Sequence, residues 1–240
     1  MSGDAALPAP GPASRIALVI PALNEEQALA KLLDELPPSL FARVIVVDNG
    51  STDATAAVAR RGGPEVVEEP RRGYGRACLA GLARLGLDTD IVVFMDADGS
   101  DVPAEAARLI EPIFRGEADL VIGSRALGGA EPGSLRWAQR WGNRLAVGLI
   151  RLFYGFRYTD LGPFRAIRWR SLQTLDMRDT NFGWTVEMQV KALQRGLRVA
   201  ERPVSYRVRI GKSKISGTVG GTVKAGIKIL WTIARLRVPG

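Results

Sequence analysis

Histidine is missing from this 240-residue chain, and only one cysteine, Cys78, is present. Without histidine there is no Ser-His-Asp triad, no imidazole general base and no imidazole metal ligand. A lone cysteine excludes an intramolecular disulfide framework and any cysteine-built zinc cluster, which fits a reducing cytoplasm. Any metal must then be a hard ion on oxygen ligands, with magnesium or manganese leading. No uninterrupted apolar run reaches the roughly 20 residues that a membrane-spanning helix needs. The first fourteen residues, MSGDAALPAPGPAS, lack the basic start and apolar centre of a signal peptide. Rich in alanine and proline, residues 1–14 read as a disordered leader. No G-x-G-x-x-G follows the first apolar run, so the usual dinucleotide fingerprint is missing as well.

What is present is an ordinary globular composition, 46% apolar and 24% charged, with an uncommon surplus of +8. That surplus favours anionic partners: nucleotides, phosphates, acidic lipid surfaces or nucleic acid. The length suits one domain, or a domain with an appendage. Ile16 to Ile20 reads as a strand stopped by Pro21, and Asn24 as the cap of a helix carrying Leu29, Leu32, Leu33 and Leu36. Val44 to Val47 is a second strand, and Thr52 or Asp53 caps a helix through Arg60. Val66 and Val67 mark a short third strand, before a glycine-rich basic loop, Arg71 to Arg76, that opens a helix over Ala77 to Leu85. Ile91 to Met95 is a buried strand, followed by a helix from Pro103 to Phe114 and a strand from Leu120 to Gly123. Such alternation specifies a doubly wound α/β sheet with right-handed crossovers.

Beyond Gly128 the pattern loosens. Arg136 to Phe156 reads as a basic amphipathic helix, Thr185 to Gln194 as another helix, and Val199 to Val208 as a strand. The tail, Thr218 to Arg237, is apolar but punctuated by Lys224, Lys228, Arg235 and Arg237. Segments 136–156 and 218–237 either lie on an anionic membrane surface or pack on the catalytic domain or another subunit.

Four loops after consecutive strands should gather at one sheet edge, where open α/β sheets bind ligands. They are Pro21 to Glu26, Asp48-Asn49-Gly50-Ser51, Arg71 to Arg76, and Asp96 to Asp101. Crowded carboxylates at the end of the Ile91 strand repel one another unless a cation sits among them. Each loop alone is explained as a turn or a cap. Together, alternately acidic and basic, they suit a nucleoside diphosphate and its cation, with glycines admitting backbone close to phosphate.

Several stretches resemble the family 2 glycosyltransferases, inverting enzymes of GT-A fold: Ile20-Pro21-Ala22-Leu23-Asn24-Glu25-Glu26, Val47-Asp48-Asn49-Gly50-Ser51-Thr52-Asp53, Gly73-Tyr74-Gly75 and Asp96-Ala97-Asp98. Asp160 to Arg165, Gly183 to Met188, and Arg209 through Ser213-Lys214 are similar to the dolichyl- or polyprenyl-phosphate mannosyl- and glucosyltransferase branch. The resemblance implies a mostly parallel, Rossmann-like GT-A sheet over 15–210 and a basic amphipathic segment over 211–240. It implies a nucleotide-sugar donor held by Pro21, Leu23, Glu25, Asp48, Gly50, Ser51, Gly73, Gly75, Asp96 and Ala97. Asp98, with Asp96, would bind Mg2+ or Mn2+, while Arg125, Arg165, Arg209 and Lys214 would neutralise donor and acceptor phosphates. Two departures stand out: Asn49 where the family has a second aspartate, and Ser100 where close relatives carry glutamine, a gap that Asp101 could fill.

The implied reaction moves a hexose, with inversion, from a nucleotide-diphosphate sugar to a polyprenyl phosphate at the cytoplasmic face of a membrane. A phosphate acceptor is already ionised at neutral pH. A hydroxyl acceptor would need a base, for which Asp160 and Glu187 are the candidates, unless they orient Arg165 or cap a helix. The alternatives are the same donor with a soluble small-molecule or glycan acceptor, and a nucleotide-sugar-binding protein without turnover. A nucleic-acid-binding module ranks last, because the basic residues are scattered and form no such motif.

Overall fold

The computed structural model describes residues 15–135, 137–211 and 219–237, with side chains from 226 onward in the last stretch. The leader, Arg136, Lys212, Ser213, Lys214 and the Lys224 side chain lie outside the described residues.

Aliphatic and β-branched runs form most of the central strands, which bury both faces, as strands covered by helices on two sides must, while the two edge strands stay partly exposed. β1 (Ile16–Ala22) pairs in parallel with β2 (Arg43–Asp48) and β4 (Ile91–Phe94), and β2 pairs in parallel with β3 (Glu65–Glu68). β5 (Leu120–Ser124) pairs in parallel with β7 (Val199–Pro203). Between β4 and β5 lies β6 (Arg165–Arg168), antiparallel to both, giving the order β3-β2-β1-β4-β6-β5-β7. The expected mostly parallel sheet flanked by helices is therefore the architecture.

Alternation along β1 divides the core in two. Leu18 and Ile20 face a layer built from α1 (Glu26–Asp34), α2 (Thr55–Arg61) and α4 (Ala106–Phe114), which contribute Leu29, Leu32, Ala59, Leu109 and Ile113. Val19 faces the opposite layer, where α3 (Tyr74–Leu82) lies closest: a Cβ on Gly81 would sit 2.6 Å from Val19 Cγ1. A short turn of helix, α5 (Arg125–Gly128), follows β5. The second layer is completed by α6 (Trp137–Tyr154), α7 (Trp169–Thr174), α8 (Trp184–Gln194) and α9 (Val219–Arg235), through Ile150, Leu172, Met188 and Ile233. Phe94 of β4 meets Trp184 of α8 edge-on, centroids 6.0 Å apart.

Three local expectations change. β1 runs on through Pro21 to Ala22, because parallel pairing with Val47 tolerates a residue whose missing N–H the register does not need. Asn24 does not cap α1; at φ 52° it turns the chain, and its Oδ1 accepts instead from the backbone N–H of Thr52 at 2.7 Å. The final strand ends at Pro203 and not Val208, and the chain beyond it crosses back over the β4 loop.

Candidate active site

Loops leaving the carboxyl ends of β1, β2, β3 and β4 enclose a cavity of about 330 Å³. Pro21, Leu23 and Glu25 come from the first loop, Asn49 from the second, Arg72, Gly73 and Tyr74 from the third, and Asp96, Ala97 and Asp98 from the fourth. Asn181, Phe182 and Arg209 complete the lining.

Short polar side chains stitch these loops together. Ser51 Oγ accepts from the Asn24 N–H at 2.9 Å, and Thr55 Oγ1 from the Glu25 N–H at 2.8 Å. Asp48 Oδ1 accepts from the Ser51 N–H at 3.2 Å, while Gly50, at φ 76°, passes close to the Pro70 carbonyl. Asn49 does most: its amide donates to the Glu69 and Arg71 carbonyls, each at 2.9 Å, and its Oδ1 accepts from the Gly73 N–H at 2.8 Å. Only an amide both donates and accepts in this way, which accounts for asparagine where the family has aspartate. Gly73 and Gly75 were expected to admit phosphate. Here they admit another loop: a Cβ at Gly73 would lie 2.3 Å from the Thr180 carbonyl oxygen, and one at Gly75 2.0 Å from that of Asp179.

The fourth loop forms an acidic wall. Asp98 and Asp101 are buried, and Tyr74 donates its hydroxyl proton to Asp96 Oδ1 at 3.0 Å. Burial first, and then the charge on Asp98, push Asp96 up to about 6. Burial, and then the charges on Asp96 and Asp98, push Asp101 well above the usual carboxylate range. Ser100 donates both N–H and hydroxyl to Asp98 Oδ1, and Asp101 Oδ2 accepts from the Asp96 N–H at 3.3 Å. Asp101 Oδ1 is buried with no hydrogen-bond partner among the described residues.

Residues 204–210 strap this wall from outside. The N–H groups of Arg207 and Ile210 donate to the Ser100 and Asp98 carbonyls at 2.8 and 2.9 Å, and Ile210 covers Gly99. The strap thereby delivers Arg209 into the cavity, where Nη2 reaches Glu25 Oε1 at 2.8 Å and Nη1 reaches Asp98 Oδ2 at 3.2 Å. A guanidinium thus stands where a cation would otherwise relieve the carboxylates.

A sequence model for glycosyl transferase family 2 matches residues 17–184. The chain belongs to that family. The glycosyltransferase is 39% identical to an uncharacterized glycosyltransferase of Mycobacterium tuberculosis, over 94% of this chain and 96% of that one. It is 32% identical to the undecaprenyl-phosphate mannosyltransferase of Micrococcus luteus, over 93% and 99% of the respective chains. Its fold superimposes on glucosyl-3-phosphoglycerate synthase of Mycobacterium tuberculosis, crystallised with Mn2+, UDP and phosphoglyceric acid, with a TM-score of 0.76 and 23% identity. That likeness covers 95% of this chain and 80% of the neighbour.

The donor set of the glycosyltransferase fits a hard divalent cation. Among the described residues no three carboxylate, cysteine or histidine side chains converge as a ready-made metal cage. Magnesium and manganese need none, since one or two carboxylates plus substrate phosphates complete their shells. Asp98 supplies an oxygen facing the cavity, and in the same loop Asp101 Oδ1 is buried without a hydrogen-bond partner among the described residues.

Of the expected site residues, Pro21, Leu23, Glu25, Gly73, Asp96, Ala97, Asp98 and Arg209 line the cavity. Asp48, Gly50, Ser51 and Gly75 lie behind it and shape its loops. Arg165 is a correction. It is fully buried and spends its guanidinium on the carbonyls of Leu161, Gly162 and Thr185, and burial draws its pKa down to about 10. It braces the chain before β6 and does not reach the cavity. Asp160 is a second correction as a base: Arg125 grips both its oxygens, at 2.8 and 2.7 Å, and neither residue lines the cavity. Arg125 is held there by that pair and by the Tyr206 ring, 5.0 Å from its guanidinium carbon. Glu187 is a third: it accepts from the Asp179 N–H at 2.7 Å and pairs with Lys191 at 2.7 Å, fixing the turn that presents Asn181 and Phe182. Sequence reasoning passed over Asn49, Tyr74, Asn181 and Phe182 as cavity residues. Tyr74 sat within a quoted motif, but Asn181 and Phe182 carried no signal because only the fold brings them to the first four loops.

Proposed function

We propose that this family 2 glycosyltransferase transfers a hexose, with inversion, from a nucleotide-diphosphate sugar to a polyprenyl phosphate. One juxtaposition carries the reading: the acidic wall, through Asp96 and Asp98, shares with Arg209 and Arg72 a cavity whose size suits a small ligand. Glu25 and Asn49 line the side suited to a nucleoside, and the arginines suit a diphosphate. Asp98, with Asp96 beside it, would hold a magnesium or manganese ion, which supplies charge neutralisation for the departing diphosphate when bound. Arg209 is placed to take up leaving-group charge, a contribution that often dominates catalysis. The acceptor oxygen attacks the sugar carbon from the face opposite the diphosphate. A phosphate oxygen needs no base, in keeping with Asp160 and Glu187 being tied up elsewhere.

The lipid acceptor is supported by the similarity to an undecaprenyl-phosphate mannosyltransferase along nearly the whole length of both chains. Residues 15–210 would carry the transfer at the cytoplasmic face of a membrane, and among the described residues no helix is long and apolar enough to cross one. A second reading keeps the donor and sends the sugar to a soluble phosphorylated acceptor, favoured by the neighbour crystallised with phosphoglyceric acid. Both readings share a phosphate on the acceptor. The deciding measurement is nucleoside diphosphate release from a panel of UDP and GDP sugars, with polyprenyl phosphate, with phosphoglycerate, or with neither. Each arm is run with manganese, magnesium or chelator. Turnover only with the lipid phosphate and a divalent ion supports the first reading. Turnover only with phosphoglycerate supports the second, and turnover in chelator overturns the metal assignment.

A further inference from the structure

We propose that α6 and the outward side of α9 form a docking surface for an anionic lipid membrane. The inference deepens the lipid-phosphate reading and rests on it for its purpose, while the surface itself is read from exposure and charge. Among the described residues, six of the ten exposed large apolar side chains belong to these two helices. On α6 they are Trp137, Trp141, Leu145 and Leu152, exposed by 76, 63, 52 and 73%. Positions i, i+4, i+8 and i+15 fall on one stripe of a helix. Ala146 and Ile150, on the opposite side, are buried against the core. Arg140, Arg144 and Arg151 adjoin the apolar stripe along one edge. On α9, Ile227 and Trp231 are 62 and 49% exposed, and Lys228 and Arg235 sit over the Trp231 ring at 4.6 and 5.0 Å.

Charge identifies the occupant. No aspartate or glutamate lies between Glu131 and Asp160, and none follows Glu201. Outside those two stretches acidic residues outnumber basic ones, so the entire +8 surplus resides in them. A second copy docking by the same face would set arginine against arginine with no carboxylate on either helix to answer. An anionic bilayer offers what the face lacks: headgroup charge for the arginines and lysines, and an interfacial layer in which tryptophan is favoured. The face is also tied to the cavity. Lys228 on α9 pairs with Asp179 at 2.9 Å, in the turn that presents Asn181 and Phe182 to the cavity. A lipid phosphate in that membrane therefore meets the rim of the donor site.

The test uses the full chain without donor or acceptor. Co-sedimentation is measured with vesicles of phosphatidylcholine alone and of phosphatidylcholine mixed with phosphatidylglycerol. Binding is expected to the anionic vesicles and to weaken with salt. Arg140→Gln combined with Arg144→Gln is expected to lower it by more than tenfold, since each basic side chain at such a surface accounts for roughly fivefold. Brominated lipid should quench the fluorescence of Trp137, Trp141 and Trp231 and leave the buried Trp184. Trp137→Ser with Trp141→Ser alters only exposed positions, so circular dichroism should be unchanged while quenching and binding fall. Equal binding to both vesicle types, or no loss in these variants, overturns the proposal. So does a dimer in solution that Trp141→Ser dissociates, which would assign the face to a second copy. Loss of vesicle binding with diphosphate release intact on a short-chain acceptor in detergent separates this failure from that of the proposed function.

Discussion

Arg209 bridges Glu25 and Asp98, so a divalent cation approaching Asp98 must displace a guanidinium already there. Arg209→Gln is therefore expected to tighten manganese binding to the donor-free protein by about tenfold. That factor corresponds to about 1.4 kcal/mol, the scale of one charge-assisted hydrogen bond. Titration calorimetry without nucleotide reads it directly, and the same variant should bind nucleoside diphosphate more weakly. Asn49 makes a different kind of contribution. Its side chain is nearly inaccessible and joins two carbonyls and one N–H of the neighbouring loop. Asn49→Ala leaves those groups to find other partners and should cost about 1–3 kcal/mol in urea denaturation, with a raised KM for the donor. Asp101→Asn tests whether the unpartnered oxygen serves the metal: a manganese titration should show weakened binding, and unchanged affinity would confine Asp101 to bonding the Asp96 N–H.

At the level of elements, two glycines govern how closely the layers approach. Gly81 lets α3 settle against the stiff side chains of Val19 and Val47, which a Cβ would meet at 2.6 and 3.1 Å. Gly81→Ala should lift α3 off the sheet and cost about 1–3 kcal/mol by overpacking. Gly75→Ala strikes the Asp179 carbonyl instead and should open the wall bearing Asn181 and Phe182. Its effect is expected in the donor KM more than in the urea midpoint. Strands β1, β2 and β4 were legible because Ile, Val and Leu run unbroken between turn residues. Strand β6 was not, since Arg-Ala-Ile-Arg reads as polar until Arg165 is seen to be buried with carbonyls around its guanidinium. The four loops were readable as a group from their positions after consecutive strands. The strap over 204–210 reads as more strand, because Val204 and Tyr206 continue the alternation that Pro203 ends in the sheet.

For the whole molecule, charge is segregated. The acidic wall and the loops after β1, β2 and β3 belong to the first half of the chain, and the basic helical layer to the second. The resemblance exposed the donor half at once, because its chemistry is written in contiguous motifs. The remaining wall stayed obscure because Asn181, Phe182 and Arg209 reach the cavity only through the packing of distant segments. That packing suggests a further outcome. A chain ending at residue 160 lacks β6 and β7, the two strands that flank β5. It should show little protection of β5 amides in hydrogen exchange, whereas the complete chain should protect them strongly.

The insertion of β6 between β4 and β5 also sets a timetable. During synthesis β4 and β5 leave the ribosome in succession, yet neither can hydrogen-bond to the other, since the strand that joins them emerges some forty residues later. Until then Phe94 and Ile122 have bare strand edges beside them, the kind of surface that recruits other chains. The nascent protein passes through an interval in which its donor-side half is ready to fold and its centre is open. Chaperone demand should peak there and fall once Arg168 has cleared the tunnel.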